Sequence, residues 1–189
     1  MKLKQFNYKK VKSTNQTAIR LIKKNVSDFG LVISETQSKG RGQYGKKWIS
    51  LKGNIFLSFF FRLDEIKLPF NFLTRKNCYL VKNIILKYYK KKIIFKPPND
   101  LIINRKKICG ILQEKVKRLE KDYLIVGIGI NLIKNPKISN YPTTNLFEVT
   151  NKKINKKKFE KELKISFEKF LSKYRSEEHT SELQSPMYL

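Results

Sequence analysis

The chain has 189 residues, of which 40% are hydrophobic, so it can bury one well-formed domain and is short for two. Its formal net charge of +27 suggests a surface that gathers phosphates. However, lysine outnumbers arginine 35 to 7, and arginine is the residue preferred for phosphate and base recognition. We interpret the charge mainly as a solvated lysine-rich surface, with a basic nucleic-acid-binding module as the alternative.

The composition also excludes several classes of protein. No apolar run approaches the about 18 residues of a membrane span, and the first residues lack the apolar centre of a signal peptide. The two cysteines, Cys78 and Cys109, are therefore expected as reduced thiols in a cytoplasmic protein. The single histidine, His179, excludes a histidine metal cluster and leaves catalysis to lysine, arginine, carboxylates and backbone.

The first half of the chain predicts a helix, two strands and a second helix. Ser13 and Gln16 have the spacing of a reciprocal helix cap, and the apolar residues after them recur at helical spacing, so a helix should start near Thr14. Residues 31–35 and 54–63 are rich in β-branched and aromatic residues and predict strands. Apolar residues from Pro69 to Tyr89 predict a core helix.

The second half predicts mainly sheet. Three segments within 91–133, with polar turns at 104–107 and 118–122, predict antiparallel strands. A last amphipathic stretch over 157–174 predicts a helix. The expected class is α+β, with a mixed, largely antiparallel sheet packed with helices, in one domain over 1–175. Residues 176–189 contain no lysine and are expected to be a non-native or disordered tail.

The glycine-rich stretch GRGQYGKKW, residues 40–48, lies between two predicted strands. Its three glycines allow close backbone approach, and Arg41, Lys46 and Lys47 supply positive charge, so the loop can wrap an anion. It matches neither the P-loop nor the dinucleotide fingerprint. A plain connection between strands is an equal alternative.

Three further stretches carry residue types suited to a site. KPPND at 96–100 presents Asn99 and Asp100 after a rigid proline pair, although the same sequence is typical of an ordinary turn. KKICGILQE at 106–114 places Lys107 ahead of Gly110, where a lysine could stabilise a developing negative charge or could simply face solvent. GIGIN at 127–131 interrupts an apolar strand, which also fits a β-bulge.

Taken in order with STNQ at 13–16, these stretches resemble the motifs of biotin protein ligase, the biotin–[acetyl-CoA-carboxylase] ligase family. The resemblance covers residues 11 to about 150. It implies the catalytic-domain fold shared with lipoate ligases and similar to class II aminoacyl-tRNA synthetases. It also implies the reaction, in which biotin and ATP form biotinyl-5′-adenylate and a lysine of the biotin carboxyl carrier domain then receives the biotinyl group.

The resemblance assigns roles to residues that match the motifs. Arg41, Lys107 and Asp100 are the implied catalytic residues, and Asp100 is also the implied Mg²⁺ ligand or the group that orients the incoming amine. The implied ATP and adenylate contacts are Arg41, Trp48, Asn99 and Asn131, with Trp48 as a flat apolar surface against the adenine and ordinary core as its alternative. The implied biotin contacts are Ser13, Thr14, Asn15, Gln37, Gly40, Arg41, Gly42, Gln43, Lys107 and Gly110.

This chain departs from the family pattern at three positions. Gln43 stands where many members have arginine, Lys46 stands where a further arginine is common, and Pro97 replaces the tryptophan of the usual KWPND motif. We expect a monofunctional member that lacks a DNA-binding domain and ends before the family's small C-terminal domain. The resemblance allows a homodimer.

The nearest rival interpretation is a lipoate or octanoate ligase on the same fold. It predicts an Arg-Arg pair, a triple glycine and a histidine in the early loop, and none of these occurs. A thioester-dependent acyl transfer would need a catalytic cysteine, whereas Cys109 between Ile108 and Gly110 is predicted to be a buried strand residue.

Overall fold

A computed structural model describes residues 1–175 of the chain. The strands are β1 Lys4–Val11, β2 Phe29–Gln37, β3 Ile55–Arg62, β4 Ile94–Lys96, β5 Asp100–Ile103, β6 Lys106–Arg118 and β7 Lys121–Ile130. The helices are α1 Thr14–Lys23, α2 Phe70–Tyr88, α3 Leu146–Thr150 and α4 Lys156–Tyr174. The predicted tail 176–189, with His179, lies outside the described residues.

Within this part of the chain the seven strands form one sheet in the order β1-β2-β3-β7-β6-β5-β4. Strand β1 pairs with β2 in parallel, and every other neighbouring pair is antiparallel. The prediction of a mixed, largely antiparallel sheet with helices is therefore confirmed. Strand β1 itself was not predicted, because only Phe6 and Tyr8 alternate with polar residues along it.

One face of the sheet carries the main hydrophobic core. Alternate residues of β3 point to this face, where Phe59 stacks on Phe167 of α4 with ring centroids 3.8 Å apart. Helix α2 packs beside α4, and Tyr88 stacks on Phe159 at 5.0 Å. Burying large aromatic side chains in this way supplies most of the stabilisation of a domain of this size.

The opposite face is only partly covered, by α1. Helix α1 packs there against a smaller cluster that includes Val32, Phe60 and Ile125. Beyond the start of α1, the residues that β6 and β7 direct to this face include Gly110, Gly127 and Gly129. The sheet surface is therefore bare of side chains at this point, which leaves room for a cavity.

Two local predictions were wrong. Helix α1 starts at Thr14 as expected, but Ser13 makes no side-chain capping hydrogen bond, so the reciprocal cap with Gln16 is absent. Strand β7 pairs regularly through Gly127 and Gly129, so these glycines do not form a β-bulge. The irregularity lies instead between Leu101 and Ile102 of β5, where the register against β6 shifts.

Candidate active site

A cavity of about 580 Å³ opens on the α1 face of the sheet. Gly110 and Gly129, which are direct partners across β6 and β7, form its floor together with Gly127. A methyl group added at Gly110 would lie 2.7 Å from the Trp48 ring, so the glycines let this ring lie flat against the sheet. The volume suits a small organic ligand.

The start of α1 forms the first wall of the cavity. Gln37, at the end of β2, caps the N-terminus of this helix. The Gln37 Oε1 atom accepts hydrogen bonds from the Thr14 backbone N–H at 2.8 Å and from the Thr14 hydroxyl at 3.1 Å. Its Nε2 atom donates to the Ser50 hydroxyl at 3.1 Å. Gln37 thus satisfies an amide that the helix itself leaves free, and this explains why no cap from Ser13 is needed.

Asn15 lies above Gly127 and is almost fully buried. Its Nδ2 atom donates to the Leu112 carbonyl at 3.2 Å and to Glu114 Oε2 at 2.7 Å, and its Oδ1 atom accepts from the Ser58 hydroxyl at 2.5 Å. A buried amide bound on both ends has a fixed orientation. Glu114 is the last residue of the KKICGILQE motif, but the sequence analysis did not predict it as a site residue.

The glycine-rich loop folds back on itself as a small hairpin. The Gly42 N–H donates to the Lys46 carbonyl at 2.7 Å, and the Trp48 N–H donates to the Gly40 carbonyl at 2.9 Å. Arg41 points from this hairpin to Glu114, with Nη2 2.6 Å from Oε1. The loop is therefore an ordered wall of the cavity and more than a connection between strands.

Lys107 is fixed at the other side of the cavity by Asp100. Its Nζ atom lies 2.8 Å from Asp100 Oδ1 and 5.4 Å from the ring centroids of Trp48 and Tyr141. The Lys107 side chain is 18% exposed, so the alternative of a solvent-facing lysine is wrong. Residues 97–99 do form a turn between β4 and β5, as the turn alternative held, but Asp100 forms this ion pair instead of capping backbone amides.

Tyr141 is a residue of this site that the sequence did not reveal. Its hydroxyl donates to Asp100 Oδ2 at 2.6 Å, and Lys96 Nζ lies 4.9 Å from its ring centroid. Burial, followed by the hydrogen bond to Asp100, raises the pKa of Tyr141 above its ordinary value. The phenol therefore stays a donor near neutral pH and helps to hold the Asp100 carboxylate in place.

Three buried polar atoms of residues that line the cavity make no hydrogen bond within residues 1–175. They are Nε1 of Trp48, Oδ1 of Asn131 and Oδ1 of Asp100, of which the last forms the ion pair with Lys107. Asn131 is anchored through its Nδ2 atom, which donates to the Thr144 carbonyl at 3.1 Å. Buried polar groups are almost always paired in folded proteins, so unpaired atoms in a cavity wall are candidate contacts for a ligand.

The sequence-predicted site residues converge on this one cavity. It is lined by Ser13, Thr14, Asn15, Gln37, Arg41, Gly42, Gln43, Trp48, Asn99, Asp100, Lys107, Gly110 and Asn131. Gly40 is the exception. It is buried behind the loop, where an added side chain would collide with the Trp48 backbone, so its place is structural.

A resident magnesium ion does not fit the described residues well. No group of three or more metal-ligating side chains occurs within residues 1–175. Both oxygens of Asp100 are engaged, one with Lys107 and one with Tyr141. Since Mg²⁺ is usually bound by one or two carboxylates together with substrate phosphates, any such ion would enter with the nucleotide.

The two cysteines are not suited to nucleophilic chemistry. Both are free and buried, and burial raises the pKa of Cys78 to about 12 and that of Cys109 well above its ordinary value. Thiolates are the reactive form of cysteine, so these thiols are inert at neutral pH. The prediction that Cys109 is a buried strand residue is confirmed.

Within 1–175, no helix has the length and apolarity needed to cross a membrane.

Fold and site together define a class: an α+β domain whose glycine-floored cavity places fixed cations beside amide and aromatic groups, as a ligase that activates a carboxylate requires. The chain belongs to the biotin/lipoate A/B protein ligase family, which matches residues 8–131. The resemblance stated from the motifs is thus confirmed at the level of the family.

Individual relatives agree with this membership. The bifunctional ligase/repressor BirA of Bacillus subtilis is 31% identical over 167 residues, which cover 83% of this chain and 50% of that protein. The biotin protein ligase from Aquifex aeolicus, solved in complex with biotin and ATP, is 28% identical with a TM-score of 0.76, covering 92% of this chain and 72% of the other.

A second solved structure supports the fold. The biotin protein ligase from Leishmania major, in complex with biotinyl-5-AMP, has a TM-score of 0.78 at 23% identity, covering 92% of this chain and 77% of the other. The present chain spans about half the length of the curated relative from B. subtilis.

Proposed function

We propose that this chain activates biotin with ATP to form biotinyl-5′-adenylate and transfers the biotinyl group to a lysine of a biotin carboxyl carrier domain. The observation that carries the proposal is that Arg41 and Lys107, which come from different parts of the fold, line one cavity over a glycine floor. A carboxylate and a polyphosphate repel each other, and fixed cations between them offset that repulsion.

In the first step, an oxygen of the biotin carboxylate attacks the α-phosphorus of ATP, the bond from that phosphorus to the bridging oxygen breaks, and pyrophosphate leaves. Lys107 offsets the charge that builds on the carboxylate and α-phosphate oxygens. Its ammonium has three donors, and the ion pair with Asp100 engages one side of it. Arg41 offers its planar fork to the phosphate.

In the second step, the amine of the acceptor lysine attacks the acyl carbon, the acyl–phosphate bond breaks, and AMP leaves while the amine loses a proton. Asp100 lies beside Lys107 at the cavity wall, where its carboxylate can orient the incoming amine. The glycine-rich loop acts as a lid, because the mixed anhydride hydrolyses when water reaches it.

In this proposal the cavity has two halves, one that binds biotin and one that binds the nucleotide. Ser13, Thr14, Asn15 and Gln37 supply hydrogen-bonding groups for the biotin ring system. Trp48, Asn99 and Asn131 contact the nucleotide, with the unpaired Nε1 and Oδ1 atoms of Trp48 and Asn131 as candidate donor and acceptor.

Free, buried cysteines fit a reducing compartment, so we place the reaction in the cytoplasm.

Exchange of labelled pyrophosphate into ATP tests the proposal. We expect exchange that depends on biotin. In a separate assay with labelled biotin, we expect transfer of the biotin label to a purified biotin carboxyl carrier domain but not to its variant with arginine in place of the acceptor lysine. Parallel reactions contain lipoate, octanoate or no acid. Exchange only with lipoate or octanoate would assign the other branch of the family, and no exchange with any acid would contradict ligase activity of this chain.

A further inference from the structure

Glu114 joins the two halves of the cavity. It lies on β6 with its side chain 21% exposed and accepts one hydrogen bond on each carboxylate oxygen. Oε1 binds Arg41 Nη2 at 2.6 Å, and Oε2 binds Asn15 Nδ2 at 2.7 Å. One carboxylate thus contacts a residue proposed to bind biotin and a residue proposed to bind the phosphate.

On the Asn15 side, Glu114 decides which way the amide points. The two Nδ2 hydrogens go to Glu114 and to the Leu112 carbonyl, while Oδ1 accepts from Ser58. Without the carboxylate, one buried N–H would lose its partner, and an unpaired buried donor destabilises this arrangement unless the amide turns. A turned amide would present the opposite polarity to the ligand.

On the Arg41 side, Glu114 restrains a long side chain. The Arg41 side chain is 38% exposed, and within residues 1–175 its guanidinium forms no hydrogen bond other than that from Nη2 to Glu114. Holding such a side chain in one position costs conformational entropy, and a charge-assisted hydrogen bond offsets part of it. The remaining N–H groups stay available for an anion while Nη2 is held.

We infer that Glu114 is a positioning residue that fixes Arg41 and Asn15 together, so that the loop over the nucleotide and the biotin wall are set by one group. This inference rests on the proposed function. A latch that must release Arg41 before the phosphate binds is the opposite arrangement, and it predicts faster adenylate formation when Glu114 is removed.

The first test compares Glu114→Ala, Arg41→Ala and the double variant in biotin-dependent pyrophosphate exchange. We expect Glu114→Ala to lower kcat by about tenfold to a hundredfold, the range for a misplaced catalytic group. The loss in the double variant should be smaller than the product of the two single losses, because part of the effect of Glu114→Ala acts through Arg41 and only the part that acts through Asn15 remains. Additive losses, or exchange at or above the wild-type rate in Glu114→Ala, would overturn the inference.

Glu114→Gln keeps the size of the side chain but offers one acceptor oxygen to two donors. It should recover only part of the lost kcat, and full recovery would contradict the need for two acceptors. Asp122→Ala is the matched control. It removes a different ion pair of β6, in which Lys115 Nζ on β6 lies 2.8 Å from Asp122 Oδ2 on β7. It should exchange at the wild-type rate.

The second test does not depend on activity. The loop contains three trypsin sites, at Arg41, Lys46 and Lys47. Mass spectrometry of limited digests should show faster cleavage there in Glu114→Ala than in wild type or Asp122→Ala, with unchanged cleavage elsewhere. If wild type shows no biotin-dependent exchange but the loop is still loosened, the proposed function fails while the structural link stands. Unchanged loop cleavage would refute the link itself.

Discussion

Lys107 owes its position to three neighbours. Asp100 binds its ammonium, and the rings of Trp48 and Tyr141 each lie 5.4 Å away, a distance at which aromatic faces attract a cation. The charge is therefore oriented before any ligand arrives. Preorganised charge of this kind stabilises a transition state without further rearrangement.

Replacing Lys107 should therefore affect chemistry more than folding. We expect Lys107→Ala to reduce the rate of adenylate formation by about tenfold to a thousandfold, the range for the loss of one donor to a developing anion. Pyrophosphate exchange measures this rate. Lys106→Ala is the control, because Lys106 is the neighbouring lysine on β6, half exposed and paired with Glu148. Equal rates in the two variants would remove Lys107 from the mechanism.

The sequence revealed the site residues that belong to motifs and missed those that depend on tertiary contact. Lys107, Asp100 and Trp48 could be found because glycine, proline or charge marks their surroundings. Tyr141 lies in a stretch of asparagine, proline and threonine typical of any loop, and nothing local indicates its contact with Asp100. Glu114 resembles an ordinary strand residue until the fold brings Arg41 to it.

At the level of elements, the two glycines of β7 divide the cavity floor. A side chain at Gly127 would come within 2.1 Å of Asn15, and one at Gly129 would come within 2.4 Å of Trp48, so both would collide with their neighbours. The first neighbour is proposed to contact biotin and the second the nucleotide. Strand β7 thus sets the depth of both halves of the site.

We expect Gly127→Ala and Gly129→Ala to separate these halves. Gly127→Ala should raise the KM for biotin by about tenfold or more with little change for ATP, and Gly129→Ala should do the reverse, since one added methyl in a fitted pocket has an effect of this size. Steady-state kinetics with each substrate varied in turn measures both values. Each variant is the control for the other, and the same pattern in both would contradict the division.

Helix α2 was predictable because its apolar residues recur with the period of a helix. Strand β3 was predictable because it is rich in β-branched and aromatic residues, and it is buried continuously from Ile55 to Phe61. Strand β1 was missed because it is an edge strand, half exposed and rich in lysine. The single parallel pair depends on α1 returning the chain to the sheet beside β2, which no local pattern contains.

For the whole molecule, Tyr123 links stability to alkaline pH. It is buried on β7, its hydroxyl donates to Asp28, and Arg118 lies nearby. Burial, then the bond to Asp28, raises the pKa of Tyr123 from its ordinary 10.0 to about 12. Because the folded pKa is higher than the unfolded one, this contribution is complete below pH 10 and is lost as pH rises towards 12.

Tyr123→Phe should therefore reduce the decrease in the free energy of unfolding that accompanies a rise in pH from 10 to about 12. We expect the variant to be about 1 kcal/mol less stable near pH 8, where it lacks the hydrogen bond, with a difference from wild type that shrinks between pH 10 and 12. Urea unfolding at several pH values measures this. Tyr44→Phe, at a residue that is 90% exposed, should follow the wild-type curve. A constant gap would show that the Tyr123 proton is not linked to folding.

The pairing of β3 with β7 has a consequence for how the protein is made. In the chain, α2 and three other strands come between these two neighbours, so the ribosome makes them before β7. One edge of the highly apolar strand β3 therefore stays unpaired until residues 121–130 have left the exit tunnel. Such an edge is prone to associate with other nascent chains. Codon choice or chaperone supply during this interval should therefore affect the yield of folded protein.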